Sequence, residues 1–276
     1  MYEIIELATL GLIPAFLVLD LVWRKRRYAT TRFWRLRALL VSTGIVAWSI
    51  VLATGWGLLL GDFHLLDGNG LGIVGGTAVG ILAYEFLHYW YHRLAHRFDF
   101  LWRFHQMHHS AESLDAFGAN YIHPLDAAFF TTWSSLVFYP LLGLPLEAGI
   151  LGALFITFNA MFQHANIKTP HWLGYLIERP ESHAIHHGRG LHRYNYSDLP
   201  LWDILFGTFR NPRSEDEVPA EAGFYKGASS RLLTMLLGRD VTRPVVSDVQ
   251  ALPQPDVEVP VDYEVIVYDQ RQVEGV

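Results

Sequence analysis

The chain has 276 residues, no cysteine and a net charge of −6, with 17% charged, 51% hydrophobic and 14% aromatic residues. A charged fraction this far below the roughly 25% of soluble domains points to a membrane protein. Without cysteine there are no disulfides, thiolate zinc sites or cysteine-bound iron–sulfur clusters, and the clustered, outnumbered basic residues give nucleic-acid binding no support.

Met1-Tyr2-Glu3 lacks the positive region and cleavage site of a secretory signal, so the first apolar stretch reads as a retained membrane segment. Apolar stretches at 4–23, 39–60, 71–87, 127–144 and 146–162 approach the length needed to cross a bilayer, about 20 helical residues. The last two are short and joined by Gly143-Leu144-Pro145, which suits a tight helical hairpin, so four or five membrane segments are expected. The glycine-rich run 72–80 is tolerated in lipid, where small residues permit close helix contact. The first loop carries Arg24, Lys25, Arg26, Arg27, Arg32, Arg35 and Arg37 and no acid, whereas the second carries Asp62 and Asp67. The positive-inside rule makes the first loop cytoplasmic, returns the third segment to that side and, if a hairpin follows, brings His164 back to it as well. Anchoring of the arginines to anionic headgroups is compatible with the same orientation. Residues 211–222 read as a polar surface linker, 230–237 as a short amphipathic helix, and the tail from Asp240 is assigned no structure. The expected division is 1–70 for N-terminal membrane segments and basic loop, 71–210 for a histidine-rich catalytic domain with the hairpin, and 211–276 for a polar tail.

Thirteen of the fourteen histidines lie between His88 and His192, mostly in three clusters: His88-x-x-x-His92-x-x-x-His96, His105-x-x-His108-His109 and His183-x-x-His186-His187. Residues three and four apart share a helix face, and neutral imidazole is a good ligand for iron, zinc, copper and nickel. The first cluster spans about 12 Å along a helix, so either two of its three histidines bind one ion or the run serves two. Each later cluster can feed two neighbouring ions. His92, His96, His105, His108, His109, His164, His183, His186 and His187 make nine candidates, too many for one ion and about right for two. No His-Glu-x-x-His of a zinc hydrolase is present, and haem would want paired histidines in mid-helix. Two irons fit better, because a reduced di-iron site can use O2 to attack an unactivated C–H bond, and placement beside lipid supplies a hydrophobic substrate.

The order His92-Arg93-x-x-His96, Trp102-x-x-His105-x-x-His108-His109-Ser110, Tyr121-x-His123-Pro124, His183-x-x-His186-His187 and Asn195-Tyr196 resembles the fatty acid hydroxylase and sterol desaturase superfamily. The ending Leu199-Pro200-Leu201-Trp202-Asp203-x-x-Phe206-Gly207-Thr208-Phe209 resembles it too, so the likeness covers about residues 80–210. It implies an integral membrane, non-haem di-iron oxygenase using O2 and two external electrons. It also implies the eight box histidines from His92 onward as ligands, with His164 as a ninth, and it makes His88 an addition to the usual first box. There is no cytochrome b5-like module, since His123-Pro124 continues with Leu125-Asp126 instead of Gly-Gly. Electrons are therefore expected from a separate donor of ferredoxin or cytochrome b5 type.

No catalytic side chain beyond the ligands is assigned. His123, before Pro124, reads as supporting a ligand or forming a turn, and His88 and His192 as supporting or structural. Glu85, one turn before His88, is expected to orient an imidazole, because an acid near membrane depth is costly without a function; the other reading pairs it with an interfacial arginine. Asn195 and Asp198 are candidates to support ligands from a loop, and His64 and His171 read as solvated or interfacial. Tyr84, Trp90, Tyr91, Trp102 and Phe104 fit an interfacial belt better than a substrate channel.

The expected protein is an all-α polytopic membrane bundle with a cytoplasmic helical cap, in the inner membrane if bacterial. It hydroxylates or desaturates a sterol-like or fatty-acyl lipid with two iron ions and O2, and zinc is expected to substitute in overproduced material because it binds the same ligands more tightly. The alternatives are a metal-dependent membrane hydrolase of lipid esters or phosphates and a non-catalytic metal carrier, which would want ligands near the bilayer midplane.

Overall fold

The computed structural model describes residues 2–244, and residues up to Arg243 form one compact unit. Among the described residues the secondary structure is helical, apart from a single bridge between Gly188 and Ala222. The α-helices are α1 (Tyr2–Val22), α2 (Trp34–Leu60), α3 (Gly72–Arg97), α4 (Asp99–His109), α5 (Pro124–Leu136), α6 (Leu146–His164), α7 (Pro180–His186), α8 (Pro200–Leu205) and α9 (Leu232–Leu236).

Three segments among the described residues are long and apolar enough to cross a bilayer: Trp34–Leu60, Asn69–Arg97 and Leu146–His164. Their outward faces are apolar, with Leu58 85% and Val74 83% exposed, the surface a helix offers to lipid instead of water. In α1 the stretch Gly11–Val22 is apolar but shorter. The fourth apolar stretch is not one continuous helix. After α5 it passes into a π turn over Val137–Leu141, where Pro140 has no N–H to donate and its ring crowds the preceding turn. The chain reverses at Gly143, whose φ of 57° is open to glycine at little cost. The loop after α2 straps this reversal, with Leu65 N, Leu66 N and Gly68 N donating to the carbonyls of Pro140, Leu141 and Leu142.

Helix α1 packs on α6, α2 on α5, and α3 on both α6 and α4. Phe138 lies where α3 and α6 meet: a Cβ at Gly80 or Gly152 would stand 2.4 or 2.3 Å from its ring, so both positions need the missing side chain.

At the end of the bundle where α3 and α6 finish, the basic loop packs on the segment after α6, on α7 and on residue Glu215. Lys25 N donates to Asn166 O, and Arg26 pairs with Glu181 at 3.6 Å and Glu215 at 3.2 Å. Residues 211–222, expected as a surface linker, instead return to the body and bury Val218 and Ala222. Beyond them Glu112 accepts from Gly227 N and from Ser229 N and Oγ, and α9 packs Met235 against Met107 and Trp34. Val241 is fully buried in the same cluster, its N–H donated to Gln106. Residues 245–276 of the tail lie outside the described residues.

Candidate metal centre

Helix α3 presents its histidines from its last turns. After the extended residue Phe98, α4 folds back across the end of the bundle with His105, His108 and His109. His164 is the last residue of α6, and α7, started by Pro180 at its first position, carries His183 and His186 with His187 at its C-terminal cap.

Nine of these imidazoles form two adjoining groups. His92, His96, His105, His109 and His186 make one and His108, His164, His183 and His187 the other, with the candidate ligand atoms inside each group within 4.8 Å of one another. The His-x-x-His-His spacing divides in a regular way. In α4 the i, i+4 pair His105 and His109 faces the first group and His108 the second; in α7 the i, i+4 pair His183 and His187 faces the second group and His186 the first. The groups touch where the His109 and His187 rings stack, 4.3 Å between centroids and 18° from parallel.

The ring tautomers follow from their partners. Nδ1–H donates to Tyr196 O from His92 at 2.8 Å, to Tyr194 O from His186 at 2.7 Å, to Ala160 O from His164 at 2.8 Å and to Asp126 Oδ2 from His105 at 2.8 Å. His96 hydrogen-bonds the backbone of His192. In these five rings the Nε2 atoms are left with the lone pair. Those of His92, His96 and His186 are buried without a partner. The Nε2 atoms of His105 and His109 stand 3.1 Å apart, those of His164 and His108 3.2 Å, and those of His183 3.2 Å from His164 and 3.1 Å from His187. The Nδ1 atoms of His108 and His183 are buried without a partner, so no hydrogen bond fixes those two rings, and ring nitrogens crowded this closely away from water suit a cation between them. A nitrogen-only set suits borderline transition metals, and ligand Nδ1 groups bonded to carbonyls or a carboxylate are what metal-bound histidines use. Burial, reinforced by neighbouring imidazoles, holds His108, His109, His183 and His187 well below the ordinary histidine pKa, and burial does the same to His186. They are neutral at pH 7, the form that binds metal.

The loop after α7 is bent to serve this arrangement. His192, Tyr194 and Asn195 have φ of 41°, 71° and 47°, left-handed values unusual for residues other than glycine, and the bend turns the carbonyls of Tyr194 and Tyr196 onto His186 and His92. Asn195 holds the loop by donating to Ser182 O and Arg210 O and accepting from Arg210 N. Asp203 holds it by accepting from Tyr196 N and Ser197 N. Burial raises the Asp203 carboxyl to about 6.

The other sequence candidates lie elsewhere. His88 joins neither histidine group but stands with Glu85 and Asp198. Among the described residues Glu85 hydrogen-bonds no imidazole and pairs with no arginine; its Oε2 accepts from Ser197 Oγ, Asp198 N and Leu199 N, because the loop brings three donors to one oxygen. His123 caps α5, accepting from Leu125 N, and donates to Leu236 O, which makes it a turn-former. His192 lies 3.2 Å from His109, nitrogen to nitrogen, and burial lowers its pKa to about 4. His64 is exposed and His171 partly so. Three of the aromatics face inward instead of forming a belt: Tyr91 donates to Asp126 at 2.6 Å, Trp102 packs on His96 and His109, and Tyr84 lines a cavity. Sequence reading missed Asp126, the one acid in the stretch 124–144, whose cost among apolar residues was the available signal.

That cavity, about 580 Å³, runs between α2, α3, α5 and α6. Ile45, Phe130, Phe138, Ile150 and Ile156 line its apolar part, and its inner end reaches His88, His92, His105, His108, His164 and His183.

Residues 77–208 match the fatty acid hydroxylase family. This segment belongs to that family. It carries every histidine of both groups. Among curated relatives, the chain is 33% identical over 140 residues to the ornithine lipid hydroxylase of Rhizobium tropici, covering 49% of this chain and 42% of that protein. It is 34% identical over 137 residues to the alkylglycerol monooxygenase of Homo sapiens, covering 46% and 29% respectively. A very-long-chain aldehyde decarbonylase of Oryza sativa subsp. japonica is 32% identical over 144 residues, 48% of this chain and 22% of that one. The match thus spans less than half the length of each relative. No solved structure matches significantly.

Proposed function

We propose that this protein is a membrane-bound, non-haem di-iron oxygenase that hydroxylates or desaturates a lipid, with residues 71–210 as its catalytic region. The observation that carries this reading is the pair of buried imidazole groups, their Nε2 atoms unpartnered or crowded on one another, at the inner end of an apolar cavity. The names of the hydroxylase and monooxygenase relatives support it and favour hydroxylation.

The proposed ligands are His92, His96, His105, His109 and His186 for one ion and His108, His164, His183 and His187 for the other. Bound iron would supply the activation of O2 that insertion into an aliphatic C–H bond requires. The overall balance is R–H + O2 + 2 e⁻ + 2 H⁺ → R–OH + H2O, with the electrons from a separate donor of ferredoxin or cytochrome b5 type. The chain does the rest. The apolar walls take a hydrocarbon chain and exclude water. The Tyr194 and Tyr196 carbonyls and Asp126 fix which ring nitrogen faces inward. Because the basic loop packs at the same end as the histidines, the positive-inside rule favours a cytoplasmic centre.

The test is iron content and oxygen uptake by the purified protein with a reductant, together with lipid profiling of cells with and without the gene. A gain of one oxygen or loss of two hydrogens in a lipid is expected, and it should require O2. Anaerobic turnover of a lipid ester or phosphate with zinc would refute the oxygenase in favour of a hydrolase.

A further inference from the structure

Glu85, His88 and Asp198 form a third buried group, with candidate ligand atoms within 4.8 Å of one another, on the cavity side of the histidine centre. Glu85 and Asp198 are 0% and 3% exposed. Asp198 accepts from Gln163 at 3.0 Å, and Glu85 Oε2 is saturated by the loop. Two acceptors remain: Glu85 Oε1 and His88 Nδ1 are buried without a partner. Among the described residues no arginine or lysine pairs with either carboxylate. Two buried acids this close, with no arginine or lysine beside them, are satisfied by a shared proton or by a bound cation that displaces it.

The surroundings choose among cations. His88 and Asp198 line the lipid cavity. A divalent ion held by three side chains here would turn its remaining coordination positions towards hydrocarbon, where oxygen ligands are scarce. A primary alkylammonium has the opposite anatomy, three N–H donors at one end and an apolar stem at the other.

We propose that Glu85, His88 and Asp198 bind the primary ammonium group of an amine-bearing lipid substrate, Asp198 and His88 from the cavity wall and Glu85 through its charge just behind. This rests on the lipid-oxidising reading above and narrows its substrate class. It also orients the substrate: His88 is one helical turn from His92, and Gln163, which holds Asp198, precedes His164. Carbons near the amine are therefore presented to both histidine groups, while the tail extends towards Ile150 and Phe138.

The test is anaerobic binding to the full-length holoprotein in nanodiscs, with dodecylamine and dodecanol as probes and partition into empty nanodiscs subtracted. Wild type should bind the amine at least tenfold more tightly than the alcohol. Asp198→Asn should bring the two within about twofold by weakening amine binding alone, and the near-isosteric Glu85→Gln should narrow the gap partially, both with an unchanged unfolding temperature. Equal affinity for both probes in wild type would overturn the proposal, as would loss of one metal equivalent per chain on Asp198→Asn, which would make the group a metal site. Because no turnover is measured, these outcomes are independent of the oxygenase test. An enzyme that oxidises only neutral lipids would keep the oxygenase reading and lose this one.

Discussion

Asp126 offers the sharpest lever on the proposed centre. Its carboxylate is fully buried and accepts from His105 Nδ1 at 2.8 Å and from Tyr91 Oη at 2.6 Å. Asp126→Asn keeps the shape and one acceptor, while the tyrosine hydroxyl can rotate to accept from the new amide. What is lost is the negative charge that makes the His105 ring a stronger donor to a bound ion. Replacing such a partner of a ligand histidine costs about 10- to 100-fold in metal affinity, roughly 1.4–2.8 kcal/mol. The loss should be confined to the group containing His105, because Asp126 touches none of His108, His164, His183 or His187. The assay is metal content per chain after dialysis against a graded series of chelator concentrations, with helical content followed in parallel. One equivalent should leave the variant at about 10- to 100-fold weaker chelation than in wild type, and the other should leave at an unchanged concentration. Wild-type retention of both ions, or equal loss of both, would refute the reasoning that Asp126 acts through His105 alone.

Two further predictions concern the same histidines. His186→Ala and His183→Ala remove ligands from different groups, so each should lower metal content from two equivalents towards one and abolish product formation, while protein remains in the membrane; turnover retained by both would contradict the assigned roles. Burial depresses the pKa of His108, His109, His183, His186 and His187, and of His192 to about 4, so metal-free folded protein binds fewer protons than the unfolded chain below pH 6.5. Its stability should be level above pH 6.5 and fall as pH drops towards 4; a thermal midpoint unchanged between pH 7 and 4.5 would refute this.

The all-helical class and the gathering of the three clusters could be read in the sequence because histidines at i, i+3 and i+4 mark both a helix and an ion-facing edge. The division of His105 and His109 from His108, and of His183 and His187 from His186, follows from the same spacing. The partners that fix the rings were less accessible. The carbonyls of Tyr194 and Tyr196 reach their imidazoles only through positive φ values at non-glycine residues, which no residue type announces. Asp126 is a single acid whose partner lies 21 positions earlier. The return of the chain after residue 210 rests on Val218, Met235 and Val241, isolated anchors with no periodic pattern to reveal them. Glu85 was visible as a costly buried acid, but whether it faced an imidazole or a loop depended on the fold around Asp198, 113 positions further along the chain.

The interleaving of α4 and α7 has a consequence for biogenesis. Since each helix contributes to both histidine groups, neither group is complete until α7 has been synthesised, long after α2 and α3 have reached the bilayer. Loading of either group would therefore be a late event, and a nascent chain stalled before residue 183 would hold neither proposed ion in its finished cradle.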